Sequence, residues 1–342
     1  MAPPSLPGKA LGSWLLRICA AYDISLDMLL RHCGMAGRTQ ETNWVDLPCL
    51  EFAGLMRLAQ YLRVGRRELF AMHQTPWRIV THHAEIGYCA LCFREDQSAG
   101  LPFYWRLAWL DSASTMCVRH RWPLRYVRAA SVNANRCNNL AGDGGKQYTA
   151  HTLCCRTFAL CLRAEPLQRA VSGLLSSDTL THHYALRDPA TIRQVAGDLL
   201  DALLAANPLK RQHSTLSHIA CLYGHNDWVP LLTVYHDSTN QRIQRLQRFA
   251  ARAFALSITH VLLYYSVSDR RAFNYLLTSE QTLRNEWLWV LMKDERYRWL
   301  CERARDWPPV YVRDCWPELL GAENKLMLHR RKITPIDALD RS

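Results

Sequence analysis

The sequence predicts a mainly α protein in which helical domains with helix-turn-helix-like units flank a small, cysteine-rich, finger-like segment. Three observations predict it. Apolar residues recur at three- and four-residue spacing near the N-terminus and again through the second half. From about Thr75 to Cys161 that periodicity gives way to Gly, Asn, Cys and aromatic residues. Inside this stretch, two pairs of metal-ligating residue types share one short spacing.

The first helix follows a Pro-Gly leader, Met1–Gly8, and carries Leu11, Trp14, Leu15, Ile18 and Ala21 on one face. Tyr22-Asp23-Ile24-Ser25 breaks it. Ser25 suits the N-cap of a second short helix, Leu26 to Cys33, which Gly34 ends. A pair of this size fits a helix-turn-helix unit, and equally a hairpin that only packs in a core. A third helix is expected over Pro48 to Tyr61, through Leu50, Ala53, Leu55 and Leu58. Arg63, Arg66 and Arg67 follow, then a short helix from Glu68 to His73.

Asn133–Gly145 reads as loop. Helices resume from Pro166, most clearly over Asn240 to Tyr265, where Ile243, Leu246, Phe249, Ala253, Ile258, Val261 and Leu262 form an apolar stripe. Arg242, Arg245, Arg248 and Arg252 lie near its start with no acid among them. They form either a solvated face or a phosphate or protein contact, and Arg63, Arg66 and Arg67 are a second candidate of the same kind. Thr278 with Gln281 fits a capping box opening a further helix. Pro308-Pro309 and Pro317 end the bundle, and His329-Arg330-Arg331-Lys332 is a short basic cluster in the tail. No internal repeat is evident. The expected domains are 1–78, 79–163 and 164–342.

Composition bounds the function. The chain has 342 residues, 49% hydrophobic and 21% charged, a globular balance that can bury a core without disulfides. Forty-two Lys+Arg against 30 Asp+Glu leave a formal charge of +12, which favours an acidic partner: nucleic acid, a membrane surface or an acidic protein. The surplus lies at the two ends, and arginine makes up 36 of the 42 cations, which suits phosphate and interface contacts; a GC-rich genome would also enrich arginine. The N-terminus shows no secretory signal, and no run approaches the roughly 18 apolar residues of a membrane span. A reducing cytosol is therefore expected, where 13 cysteines point to metal before disulfide.

Cys89-Ala90-Leu91-Cys92 and Cys117-Val118-Arg119-His120 are the two ligand pairs. Two residues of one tight turn can reach a single tetrahedral ion, and a second turn closes the shell as Cys3His. Four protein ligands leave no open position, so the zinc is expected to be structural. Phe103-Tyr104-Trp105 and Trp109 between them suit a short strand or hairpin joining two knuckles. Cys137, Cys154, Cys155 and Cys161 form a weaker group, either a second metal site or ordinary cysteines. An enzyme reading finds little. His83-Ala84-Glu85 before the first pair superficially matches the zinc-deaminase pattern, but only three residues separate Glu85 from Cys89 and the motif proline is absent. No hydrolase, phosphate-loop, dinucleotide or metalloprotease motif is present, so no catalytic residue is assigned.

Cys89-Ala-Leu-Cys92-Phe-Arg-Glu95-Asp96, then Phe103-Tyr104-Trp105-Arg106 to Trp109, then Cys117-x-x-His120 and Leu124 resemble the zinc-finger signature of the TniQ/TnsD family. Ser13-Trp14-Leu15-Leu16-Arg17 matches the family's opening motif, and the likeness covers roughly residues 7–125. Ala90 stands where the family usually has a knuckle proline. The family's second cysteine pair survives only as Cys137 and the Cys154-Cys155 neighbourhood. The resemblance implies a bacterial, cytoplasmic, non-catalytic target-selection protein of a Tn7-like transposition system. Shorter members act as adaptors, some as homodimers, that link a CRISPR Cascade complex and its guide RNA to the AAA+ regulator TnsC; DNA is then met indirectly. Longer TnsD-like members read an attachment sequence in DNA directly. The length favours the adaptor role.

Overall fold

The structure is a computed structural model and describes residues 8–35, 52–72, 84–129, 155–172, 188–204, 214–222, 246, 248–264 and 296–308. Helices α1 (Leu11–Tyr22), α2 (Leu26–His32), α3 (Phe52–Leu62) and α4 (Arg66–Met72) come first. A central module follows: β1 (Glu85–Tyr88), α5 (Ala90–Ser98), a 3-10 turn at Leu107–Leu110, β2 (Met116–Cys117), β3 (Trp122–Pro123) and β4 (Arg125–Arg128). Helices α6 (Cys155–Val171), α7 (Pro189–Leu204), α8 (Thr215–Leu222), α9 (Phe249–Tyr264) and α10 (Arg296–Ala304) complete the described fold. The mainly α class is as expected. The leader, Asn133–Gly145, the Thr278–Gln281 capping box, Pro309, Pro317 and the tail cluster lie outside the described residues.

The N-terminal helices form where capping and periodicity place them. Leu11, Trp14, Leu15 and Ile18 are buried on α1, and Asp23 ends it in the left-handed region at φ 52. The Ser25 hydroxyl accepts from the Met28 amide at 3.1 Å, capping α2. Gly34 ends α2 at φ +69, a left-handed conformation that favours glycine.

A 40-residue internal repeat, not evident from the sequence, becomes visible in the backbone. Helix α1, the turn Asp23-Ile24-Ser25 and α2 match α3, the turn Arg63-Val64-Gly65 and α4, position n falling on n + 40. Asp23 and Arg63 share the left-handed conformation, at φ 52 and 51. The Ile24 amide donates to Cys19 O at 3.0 Å, and the Val64 amide donates to Ala59 O at 3.1 Å. Leu15/Leu55, Ile18/Leu58, Cys19/Ala59 and Leu29/Leu69 are buried in both copies. Identity is confined to Leu15/Leu55, Arg17/Arg57 and Leu29/Leu69, which is why composition alone hides the repeat.

The central module holds two antiparallel pairs, β1 with β4 and β2 with β3. In β1, a β-carbon on Gly87 would come within 2.6 Å of Leu124 Cδ1, so glycine lets the chain after the second knuckle cross the strand. The stretch Phe103–Trp109 is not the strand or hairpin its alternating bulk suggests. Its backbone bonds instead with the N-terminal segment: the Ala10 amide donates to Trp105 O at 2.9 Å, and the Trp105 amide to Ser13 Oγ at 3.0 Å. Its rings turn inward, where Phe93 meets Trp105 and Trp109 edge to face at 5.9 and 5.3 Å.

The C-terminal helices pack around α7 and α9. Helix α6 begins at Cys155, ahead of the expected Pro166, and crosses the domain boundary expected at 163/164. Burial of Leu160, Cys161, Ala164, Leu167 and Val171 outweighs the hydrogen bond that Pro166 cannot donate. Helix α9 starts at Phe249, where the Glu85 carboxylate accepts from the Phe249 amide at 2.8 Å and fixes the start; residues 240–245 and 247 of the expected helix lie outside the described residues. Asp198 on α7 accepts from Trp307 Nε1 at 2.9 Å and pairs with Arg303 at 3.3 Å, tying α10 in place. No helix among the described residues is long and apolar enough to cross a membrane.

His260 lies buried on α9, and burial, with Arg163 nearby, pushes it down from 6.5 to about 3. The unfolded chain therefore binds a proton that the folded chain refuses. Between those two values, stability falls as pH falls, by up to about 1.4 kcal/mol per pH unit. Denaturant melts at about pH 7 and about pH 5 are expected to show a loss for the natural chain that His260→Gln reduces.

Candidate metal centre

Cys89 is the last residue before α5, and its sulfur accepts from the Cys92 amide at 3.5 Å. The cap therefore turns Cys89 and Cys92 toward the same point. Cys117 closes β2, and the turn Val118–Arg121 carries His120 back beside it, with the Arg121 amide donating to Cys117 O at 2.7 Å. The four ligand atoms lie within 4.8 Å of one another. His120 Nδ1 is 3.3 Å from Cys89 Sγ, 3.3 Å from Cys92 Sγ and 3.5 Å from Cys117 Sγ; Cys92 Sγ and Cys117 Sγ are 3.6 Å apart. A tetrahedron with metal–sulfur bonds of about 2.3 Å has edges of roughly 3.8 Å, so the donors stand at the corners an ion requires.

Electrostatics favour the same occupant. Cys117 and Cys89 beside it, together with burial, hold the Cys92 thiol above its ordinary range. A central cation reverses that preference by stabilising the thiolates. The donor set can hold a metal ion and suits zinc. All three cysteines are buried and no ligand position is left for a substrate, so the centre orders the chain rather than doing chemistry.

Glu95 completes the arrangement, and its role is one the ligand spacing does not announce. It lies one turn beyond Cys92 on α5 and accepts from His120 Nε2 at 3.0 Å, leaving Nδ1 to face the sulfurs. Its other oxygen pairs with Arg119 at 3.1 Å. The signal in the sequence is the three-residue step from Cys92 to Glu95, which puts both on one helix face. Next to it, Asp96 takes a two-pronged bond from Arg106 at 2.9 and 3.0 Å, and the guanidinium lies 4.7 Å from the Tyr104 ring and 5.0 Å from that of Trp109.

Two further residues anchor the module to the C-terminal helices: Gln168, unremarked in the sequence, and Glu85, considered there only for a deaminase pattern. Gln168 on α6 accepts from the Thr115 and Met116 amides at 2.8 and 2.9 Å and donates to Met116 O at 2.8 Å. That fixes the strand leading into Cys117. Glu85 on β1 bonds Phe249 and also pairs with Arg248 at 2.8 Å.

The remaining expected site residues separate. Arg242 and Arg245 lie outside the described residues. Arg248 is half-exposed but engaged by Glu85. Arg252 is corrected from surface to interior: it is 2% exposed, donates to Leu246 O at 2.7 Å and to Glu85 O, and burial pushes it down to about 10. It braces the start of α9 and cannot meet a partner. Arg63, Arg66 and Arg67 are exposed on the α3–α4 turn. Of the weaker cysteine group, Cys137 and Cys154 lie outside the described residues and Cys155 opens α6. Cys161 is packed beneath Thr115, where burial raises its thiol to about 12. Among the described residues, the Cys3His group is the one metal cluster.

Taken together, the geometry defines a helix-rich protein with a buried Cys3His cluster that can hold a metal ion. Residues 1–124 match the TniQ family model, so that stretch of the chain is similar to a TniQ domain. The match contains both helical hairpins and all four ligands and ends at Leu124. No curated protein and no solved structure matches the chain.

Cys92→Ser is expected to bind metal weakly and to lose protection of residues 84–129 in hydrogen exchange. Glu95→Gln is expected to keep the fold in excess zinc while weakening metal affinity about 10–100-fold in a chelator competition.

Proposed function

We propose that this protein is a non-catalytic target-selection adaptor of a Tn7-like transposon. Target selection for such an element follows from the likeness to a TniQ domain. The adaptor role, with a CRISPR Cascade complex and its guide RNA on one side and a TnsC-type AAA+ ATPase on the other, is our reading of how this chain performs it. The observation that carries it is the Cys3His cluster, whose four ligand atoms converge between two sets of helices; in this reading one zinc ion per chain fills it and orders the module around it. Such an architecture presents surfaces, and among the described residues its one metal-ligating cluster leaves no ligand position open to a substrate. Homodimerisation and a cytoplasmic location belong to the same reading.

A second reading is a TnsD-like protein that recognises an attachment sequence directly. The three exposed arginines of the α3–α4 turn favour retaining it. Affinity capture from cells carrying the neighbouring transposon genes decides between them. The adaptor reading expects Cascade subunits and the AAA+ ATPase to co-purify with the chain. Selective shift of one duplex at physiological salt, with no Cascade captured, would establish direct reading instead.

A further inference from the structure

The internal repeat supplies a comparison within one chain. Two hairpins share a backbone, a left-handed turn residue and a buried face, yet their outward faces differ in charge. The first carries Asp23, Leu26, Asp27 and Met28 where the second carries Arg63, Arg66, Arg67 and Glu68. In the first copy Asp27 is neutralised one turn later by Arg31. The position matching Arg31 in the second copy is Ala71. Arg63, Arg66 and Arg67 are exposed, and among the described residues none forms an ion pair.

Folding does not require these cations, since the first copy reaches the same turn with two carboxylates. It is also indifferent to their cost. A left-handed residue is better tolerated as Asp than as Arg, yet Arg63 occupies that conformation at φ 51. Three guanidinium groups crowded on one turn repel one another in the free protein, and a polyanion removes that repulsion. Exposed ring surface lies alongside: Tyr61 is 53% exposed, and Phe52, 67% exposed, stacks on Phe70 at 5.4 Å.

We infer that the α3–α4 hairpin is a docking surface for the phosphate backbone of duplex DNA, whereas the α1–α2 hairpin, the same unit in neutral form, serves packing. The inference rests on the target-selection reading, which places the protein at duplex DNA. Arginines suit phosphate contacts, each guanidinium offering two parallel donors to one phosphate. The second hairpin thereby adds sequence-independent affinity for DNA at the target, whichever partner selects the site.

The repeat also supplies the test. Arg63→Asp with Arg67→Asp installs the residues that the first hairpin carries at the matching positions, a change the shared backbone accommodates. The zinc-loaded full chain is titrated into a fluorescent random-sequence DNA duplex over a range of salt concentrations. The natural chain is expected to bind, and the double Asp variant to lose about tenfold or more in affinity, with a salt slope smaller by about two. Arg63→Lys with Arg67→Lys is expected to keep the natural slope, which separates lost charge from lost fold. No duplex binding by the natural chain, or an unchanged slope in the double Asp variant, overturns the inference. So does equal competition by single-stranded RNA. Retained duplex binding with lost capture of the AAA+ ATPase also overturns it and makes the turn a protein contact. Failure of the adaptor reading is distinguishable, because it shows in the capture experiment while duplex binding persists.

Discussion

The convergence of Cys89, Cys92, Cys117 and His120 on one point is the constraint on which the central module depends. Residues 84–129 contain one helix of nine residues, strands of two and four, and long irregular connections. Such a segment has little regular backbone hydrogen bonding to hold it and would gain little from closing loops unaided. A metal ion that binds the closed geometry and not the open chain would supply the missing free energy. Ala90, in place of the rigid proline common in such knuckles, shifts still more of the ordering onto the ion.

What the four ligands bring together, buried polar groups then fasten to the rest. Gln168 reads two amides and a carbonyl of the strand before Cys117, and Glu85 caps α9 four residues ahead of Cys89. Each tie lies within a few residues of a ligand, so errors in knuckle position and errors in helix docking are coupled. On the other side, Trp105 bonds with Ala10 and Ser13, which locks α1 to the same module. Buried groups left without these partners would each cost of order 1–3 kcal/mol, and that asymmetry makes the arrangement specific rather than merely stable.

What could be read from the sequence follows from range. The ligands were legible because both pairs are local patterns, and α1 and α2 because Ser25 and Gly34 are local stop and start signals. The start of α9 was not, since it is set by Glu85, more than 160 residues earlier in the chain. The apolar stripe could not show that Arg252 turns inward to meet loop carbonyls. Pro166 misled because local propensity argued for a helix start where tertiary burial carries a helix through. The repeat escaped notice for a related reason: it is conserved as a pattern of buried positions and a turn conformation, while Trp14 is matched by Gly54 and Asp23 by Arg63.

The same contrast sorts the positive charge. A net +12 by itself implies a basic protein in search of an acidic partner. Position decides what each cation can do. Arg106 is clamped by Asp96, Arg252 is sunk against backbone carbonyls, and Arg248 and Arg303 answer Glu85 and Asp198. Arg106, Arg248 and Arg303 neutralise acids that the fold itself has buried or half-buried, so with the buried Arg252 they belong to the architecture and contribute little field outside it. Arg63, Arg66 and Arg67 have no such acid beside them among the described residues, and their equivalents in the first hairpin are acidic or apolar. A charge that the fold neither needs nor neutralises faces outward, and in this chain it is gathered on a seven-residue helix and the turn before it.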